Sequence, residues 1–149
     1  MTHRNLWTVL AAVLTLSTTV AHAQSPDPAA TDKWQSVAKT DNQEAFVNVA
    51  SIKLVAGMPE ARVKQNFTQA QPSAKKGKSY LSARSTYRFD CAQRRVGMKE
   101  LRAYPGLDLQ GEVVQKATAA DKNMQWNDAS ERTVFGELLD FVCGKAPAG

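Results

Sequence analysis

The sequence predicts an α+β domain: a single antiparallel sheet of about six strands, packed by one C-terminal helix. Three observations carry that expectation. In Tyr80–Cys91, Leu81, Ala83, Ser85, Tyr87, Phe89 and Cys91 lean apolar, while Ser82, Arg84, Thr86, Arg88 and Asp90 form a polar face. That is the period-two pattern of a strand with one buried side. Turn-forming residues recur from Trp34 to Lys116 and cut this stretch into short runs. Beyond Ser130 the period changes, and Val134, Phe135, Leu138, Leu139 and Val142 form an apolar stripe at helical spacing.

Taken in order, Lys33–Lys39 reads as a first short strand anchored by Trp34. Asp41-Asn42 turns the chain into a second strand, Ala45–Val49. Gly57-Met58-Pro59 reads as a turn before a third strand, Ala61–Phe67, and Pro72–Gly77 as a polar loop. Tyr80–Cys91 is the fourth and clearest strand. Ala92–Arg94 fits a hairpin turn into Arg95–Tyr104, which Pro105-Gly106 ends, and Gly111–Ala117 makes the sixth. The helix is expected to start at Ser130 as N-cap, with Glu131 in its first turn. Gly144 stands where a left-handed C-cap belongs, and Pro147 follows. So short a helix is not stable alone, so its stripe must lie on the buried face of the sheet.

The chain has 149 residues, 43% apolar and 22% charged, with a formal net charge of +5. This composition fits one globular domain and excludes a disordered or repetitive chain. His3 and Arg4, the apolar run Leu6–Val20 and the Ala21-His22-Ala23 site read as a secretory signal peptide over residues 1–23. The apolar run is shorter than the roughly 20 residues of a membrane span, so no transmembrane segment is expected after cleavage. Gln24, not Cys, follows the cut, so no lipid anchor is expected there. Residues 24–33 read as a flexible Pro/Ala/Asp linker, 34–144 as the domain and 145–149 as a tail. The expected address is the periplasm or the medium.

Cleavage also removes both histidines, His3 and His22. Catalytic triads, Cys–His dyads and His-ligated zinc are thereby excluded, and no cofactor or metal site is expected. Cys91 and Cys143 remain. In an exported chain two cysteines form one disulfide, here strand to helix, with a pair of free buried thiols or a reactive Cys as the other reading. Closing a separation of 52 residues contributes about 4 kcal/mol in the chain-entropy model.

Little else points to chemistry. Lys75-Lys76-Gly77-Lys78-Ser79 contains Gly-Lys-Ser, but Pro72 stands where a phosphate loop needs Gly, and a strand follows where it needs a helix. The stretch reads instead as a solvated hairpin tip. A candidate binding patch gathers Lys75, Lys76 and Lys78, with Arg94 and Arg95 joining only if the fold brings them near. Asp90, Glu100, Asp108 and Glu112 are the carboxylates left for catalysis, and no spacing pairs them. Trp34, Trp126, Tyr80, Tyr87 and Tyr104 show no RNP-like interleaving with basic residues, so nucleic acid is not expected as a partner.

One run carries more. Tyr87-Arg88-Phe89-Asp90-Cys91-Ala92-Gln93-Arg94 resembles the central signature of the surface-adhesin protein E family of Gram-negative bacteria. Trp34, Phe46-Val47-Asn48, Ser51-Ile52, Trp126 and the closing Leu139-Asp140-Phe141-Val142-Cys143 continue the resemblance, which spans Trp34 to Cys143. It implies a small antiparallel sheet, a C-terminal helix and a strand-to-helix disulfide. It also implies adhesin-like binding of host matrix proteins, with no catalytic residues to carry over. Two departures stand out: Gln24 replaces the acylated Cys that anchors the adhesin, and Asn48 sits where many relatives show Asp. The expected function is therefore a non-catalytic exported binding module. Its partner would be a host matrix protein, an envelope protein or an anionic polymer. The alternatives are a periplasmic hydrolase or transferase using carboxylates, and an envelope protein without a discrete ligand.

Overall fold

The computed structural model describes residues 32–147. The expected leader and most of the 24–33 segment lie outside them. Eight strands and one α-helix follow in the order β1 (Trp34–Lys39), β2 (Gln43–Asn48), β3 (Lys53–Val55), β4 (Met58–Pro72), β5 (Ser79–Asp90), β6 (Arg95–Tyr104), β7 (Gln115–Thr118), β8 (Trp126–Asp128) and α1 (Val134–Lys145). The eight strands form one sheet of order β1-β2-β4-β5-β6-β7, with β3 on β4 and β8 on β6, and every pairing is antiparallel. The class is α+β as expected, but the sheet has eight strands rather than about six.

The two added strands have local causes. β3 and β4 form a hairpin through Ala56-Gly57, with Val55 opposite Met58. Both turn residues have positive φ, 51° and 77°, the conformation that matches the twist of a two-residue hairpin. The turn thus lies one residue earlier than expected, and Met58-Pro59 belong to β4. β8 pairs its three residues with Arg95–Gly97. Its neighbour β7 is shorter than the expected Gly111–Ala117 and pairs with the other end of β6, at Glu100–Ala103.

One face of the sheet carries Ala45, Val47, Ala61, Val63, Tyr87, Phe89 and Val96. On it α1 lays Leu138, Leu139 and Val142, all essentially inaccessible to solvent. Small residues, Ala38, Ala45 and Ala61, share this core with the helix side chains, so the helix can approach the sheet closely. Tyr87 meets Phe135 edge-on at 5.5 Å.

The helix ends differ from expectation. Its N-cap is Thr133, whose Oγ1 accepts from Gly136 N at 3.0 Å and donates to Ser130 O at 2.6 Å. Ser130–Arg132 form a turn ahead of it, with Arg132 at φ 62°. At the other end the helix runs through Gly144 to Lys145, and Gly144 does not adopt the left-handed cap. Ala146 is extended instead (φ −61°, ψ 143°), as a residue before proline must be. Cys91 follows β5 and Cys143 lies in the last turns of α1. They form the disulfide, with Cα atoms 6.0 Å apart, inside the span a disulfide bridges.

Asp32 and Lys33, assigned to the linker on sequence, are fastened to the domain. Asp32 pairs with Arg62 at 3.0 Å, and Lys33 N donates to Asn48 Oδ1 at 3.2 Å. Buried Asn48 also accepts from Ala50 N and donates through Nδ2 to Asp32. An aspartate at position 48 would lack that donor and would face a second carboxylate.

Candidate functional site

Helix α1 covers only one side of the sheet. The alternate residues of β4, β5 and β6 face away from it, and register sets them in cross-strand rows. One row is Glu60, Arg88, Gly97 and Trp126; the next is Arg62, Thr86, Glu100 and Thr118. A third is Phe46, Lys64, Arg84, Arg102 and Lys116.

The first row is not the solvated polar face that the alternation of β5 implies. The Arg88 side chain is only 5% exposed and binds Glu60 Oε2 at 3.0 Å and Asp121 Oδ2 at 3.2 Å. Glu60 stands 3.7 Å from Lys53, and Asp121 also pairs with Lys99. Burial follows from the segment after β7, which folds back over the sheet. Met124 occupies the space beside Gly97, where an added Cβ would lie 2.6 Å from its sulfur. Burial pulls the Arg88 guanidinium pKa down, but the bonds to Glu60 and Asp121 outweigh it and leave the value raised.

Beside this cluster opens a cleft of about 580 Å³, lined by Ser51, Lys53, Arg62, Thr86, Lys99 and Glu100 among others. Its cations are already matched: Lys53 to Glu60, Arg62 to Asp32, Lys99 to Asp121. Of the four carboxylates considered for catalysis, three are ion-paired: Asp90 with Arg95, Glu100 with Arg102 and Asp108 with Lys64. Asp90 is held below the ordinary carboxylate pKa by its bond from Arg95, and Asp108 by its bonds from Lys64 and Asn66. A general acid needs the opposite shift. Glu112 is exposed in the loop before β7. Among the described residues no cluster of three metal-ligating side chains forms.

The pKa directions yield a pH prediction. Asp121 and Asp140 are also depressed, by Lys99 and by Arg94 respectively. A carboxylate with a lowered folded-state pKa contributes its full stabilisation above the unfolded value, near 4, and loses it as pH falls through the folded value. Thermal melting temperature is therefore expected to hold from pH 7 to about 5 and to drop progressively below about 4. A flat profile down to pH 3 would show these pairs to be inconsequential.

Lys75, Lys76 and Lys78 sit exposed at the β4–β5 hairpin tip. The tip is closed by Ser73 N to Lys78 O at 3.0 Å and Lys78 N to Lys75 O at 3.1 Å, and it is followed by strand β5. Ala74 N donates to Gln115 Oε1 at 2.8 Å, which fastens the tip to β7. Arg94 and Arg95 lie at the far end of β5, whose 12 residues span roughly 35–40 Å. Both are engaged: Arg94 binds Asp140 at 2.7 and 3.3 Å, and Arg95 binds Asp90 at 2.8 Å and stacks 5.2 Å from the Trp126 ring centre. The five cations thus form two separate groups. The row through Lys64, Arg84, Arg102 and Lys116 escaped sequence reasoning, because its members are far apart in the chain and align only through register.

Comparison with known proteins supplies a family. The family model for surface-adhesin protein E matches residues 34–144. No curated protein gives a significant match. Among solved structures, protein E of Haemophilus influenzae is similar at 14% identity and a TM-score of 0.53, over 76% of this chain and 88% of that one. Its second crystal form aligns over 83% and 97% with a TM-score of 0.54. Protein E from non-typeable Haemophilus influenzae aligns over 88% and 82% with a TM-score of 0.51, again at 14% identity. At that identity the likeness establishes the fold.

Proposed function

The chain belongs to the surface-adhesin protein E family, and from that premise we propose that it is a non-catalytic, exported binding module. Its partner is a matrix or envelope protein or an anionic surface polymer. The observation that carries this reading is the β4–β5 hairpin tip. Its three lysines are exposed and have no ion-pair partner among the described residues. Cations at a loop tip, free of packing duty, are suited to long-range attraction of an anionic surface. Export rests on the leader read in residues 1–23.

The test is capture by the purified domain of immobilised matrix proteins and of anionic polymer at two salt concentrations. Replacing Lys75, Lys76 and Lys78 together by Ser is expected to change stability by less than about 0.5 kcal/mol. Binding should weaken, chiefly through a slower on-rate, and raised salt should weaken the wild type in the same way. Undiminished binding by the triple variant at both salt concentrations would reduce the tip to a solvated turn.

A further inference from the structure

The helix-free face carries an electrostatic arrangement that folding alone does not favour. Lys64, Arg84, Arg102 and Lys116 stand directly opposite one another on β4, β5, β6 and β7. Like charges paired across strands are destabilising. The two carboxylates at this row are already committed, Asp108 to Lys64 at 2.6 Å and Glu100 to Arg102 at 2.6 Å. Arg84, between two cations, has no carboxylate within 4.0 Å among the described residues, and neither has Lys116. A local rule broken without a compensating contact marks a functional position.

We propose that Arg84, Arg102 and Lys116 form a docking strip for a linear sulfated polysaccharide. This rests on the binding-module reading and deepens it by naming the partner's chemistry. Adjacent strands are about 4.8 Å apart, so the strip offers cations at regular intervals, Arg84 and Arg102 half-exposed and Lys116 exposed. A repetitive polyanion can meet such a ladder several times over, and the planar arginine forks suit bidentate contact with anionic oxygens. A protein partner would need an apolar anchor, and single-stranded nucleic acid a stacking ring. At the strip's inner end both are already taken. Lys64 Nζ lies 4.3 Å from the Phe46 ring centre and 5.7 Å from that of Trp34, and its side chain is only 12% exposed. At the outer end Lys116 follows Gln115, which holds the lysine tip, so both cation groups can engage one chain.

The experiment measures binding to heparin oligosaccharide at physiological salt, with a desulfated control. Arg84→Gln/Lys116→Gln is expected to bind about tenfold more weakly, with a melting temperature equal to or above wild type, because a repulsion is relieved. Lys33→Gln/Lys122→Gln removes the same net charge from exposed positions elsewhere and should bind as wild type. Equal loss in both double variants, or no loss in the first, overturns the strip. So does single-stranded DNA competing as well as heparin. Wild type that captures a matrix protein but ignores heparin also overturns the strip, yet leaves the binding-module reading intact. Wild type that captures neither overturns both.

Discussion

Replacing Cys91 and Cys143 together by alanine is expected to lower stability by roughly 2–5 kcal/mol, the usual cost of losing a native disulfide in a small secreted domain. The bridge spans a separation of 52 residues and ties the end of β5 to the last turns of α1. Its loss acts on both states: the unfolded chain gains freedom, and the folded helix loses its tether. At 12 residues α1 is too short to persist unsupported, so without the bond it depends on Leu138, Leu139 and Val142 packing on the sheet. The Arg94–Asp140 pair also joins the β5–β6 turn to the helix, but a half-exposed ion pair contributes little. The urea midpoint of the double variant against wild type measures the effect. A loss under about 1 kcal/mol would mean that side-chain packing alone fixes the helix.

What was legible in the sequence divides along physical lines. The alternation of β5 and the apolar stripe of α1 are local periodicities, and both name the residues that meet in the core. The bounds of β6 follow from the turn residues on either side. β3 and β8 have three residues each, too few to show a period, and their pairing is set by the strands beside them. Gly57 signalled the turn before β4, but Ala56 as its first residue did not, because alanine seldom adopts positive φ. Thr133 rather than Ser130 caps the helix because a further turn is inserted before it, which spacing alone does not reveal. For the site, the lysine tip was visible as a charge run between strands. Its separation from Arg94 and Arg95 was implied as well, since the expected Tyr80–Cys91 strand puts the two turns at its opposite ends. The cation row needed four strands in register before it existed at all.

Arg88 shows the same limit most sharply, and the second large effect lies there. Alternation assigned it to solvent, yet its guanidinium is enclosed between Glu60 and the Asp121 segment. Glu60→Leu is expected to cost about 3 kcal/mol, the lower end of the penalty for leaving one member of a buried pair alone. The lower end applies because Asp121 remains to the arginine, although its side chain is 62% exposed and screened by water. Arg88→Met alone should cost less, since Glu60 keeps Lys53 at 3.7 Å and reaches water through the neighbouring cleft. The double variant Glu60→Leu/Arg88→Met should recover much of the loss, because apolar side chains of similar volume avoid the cost of desolvating two charges. A double-mutant cycle by chemical denaturation isolates this coupling. Strictly additive single costs would show that the pair contributes no net interaction. Recovery in the double variant would instead show that Glu60 is retained chiefly to keep Arg88 neutralised beneath the cleft, and that the interior of this face tolerates replacement of the pair.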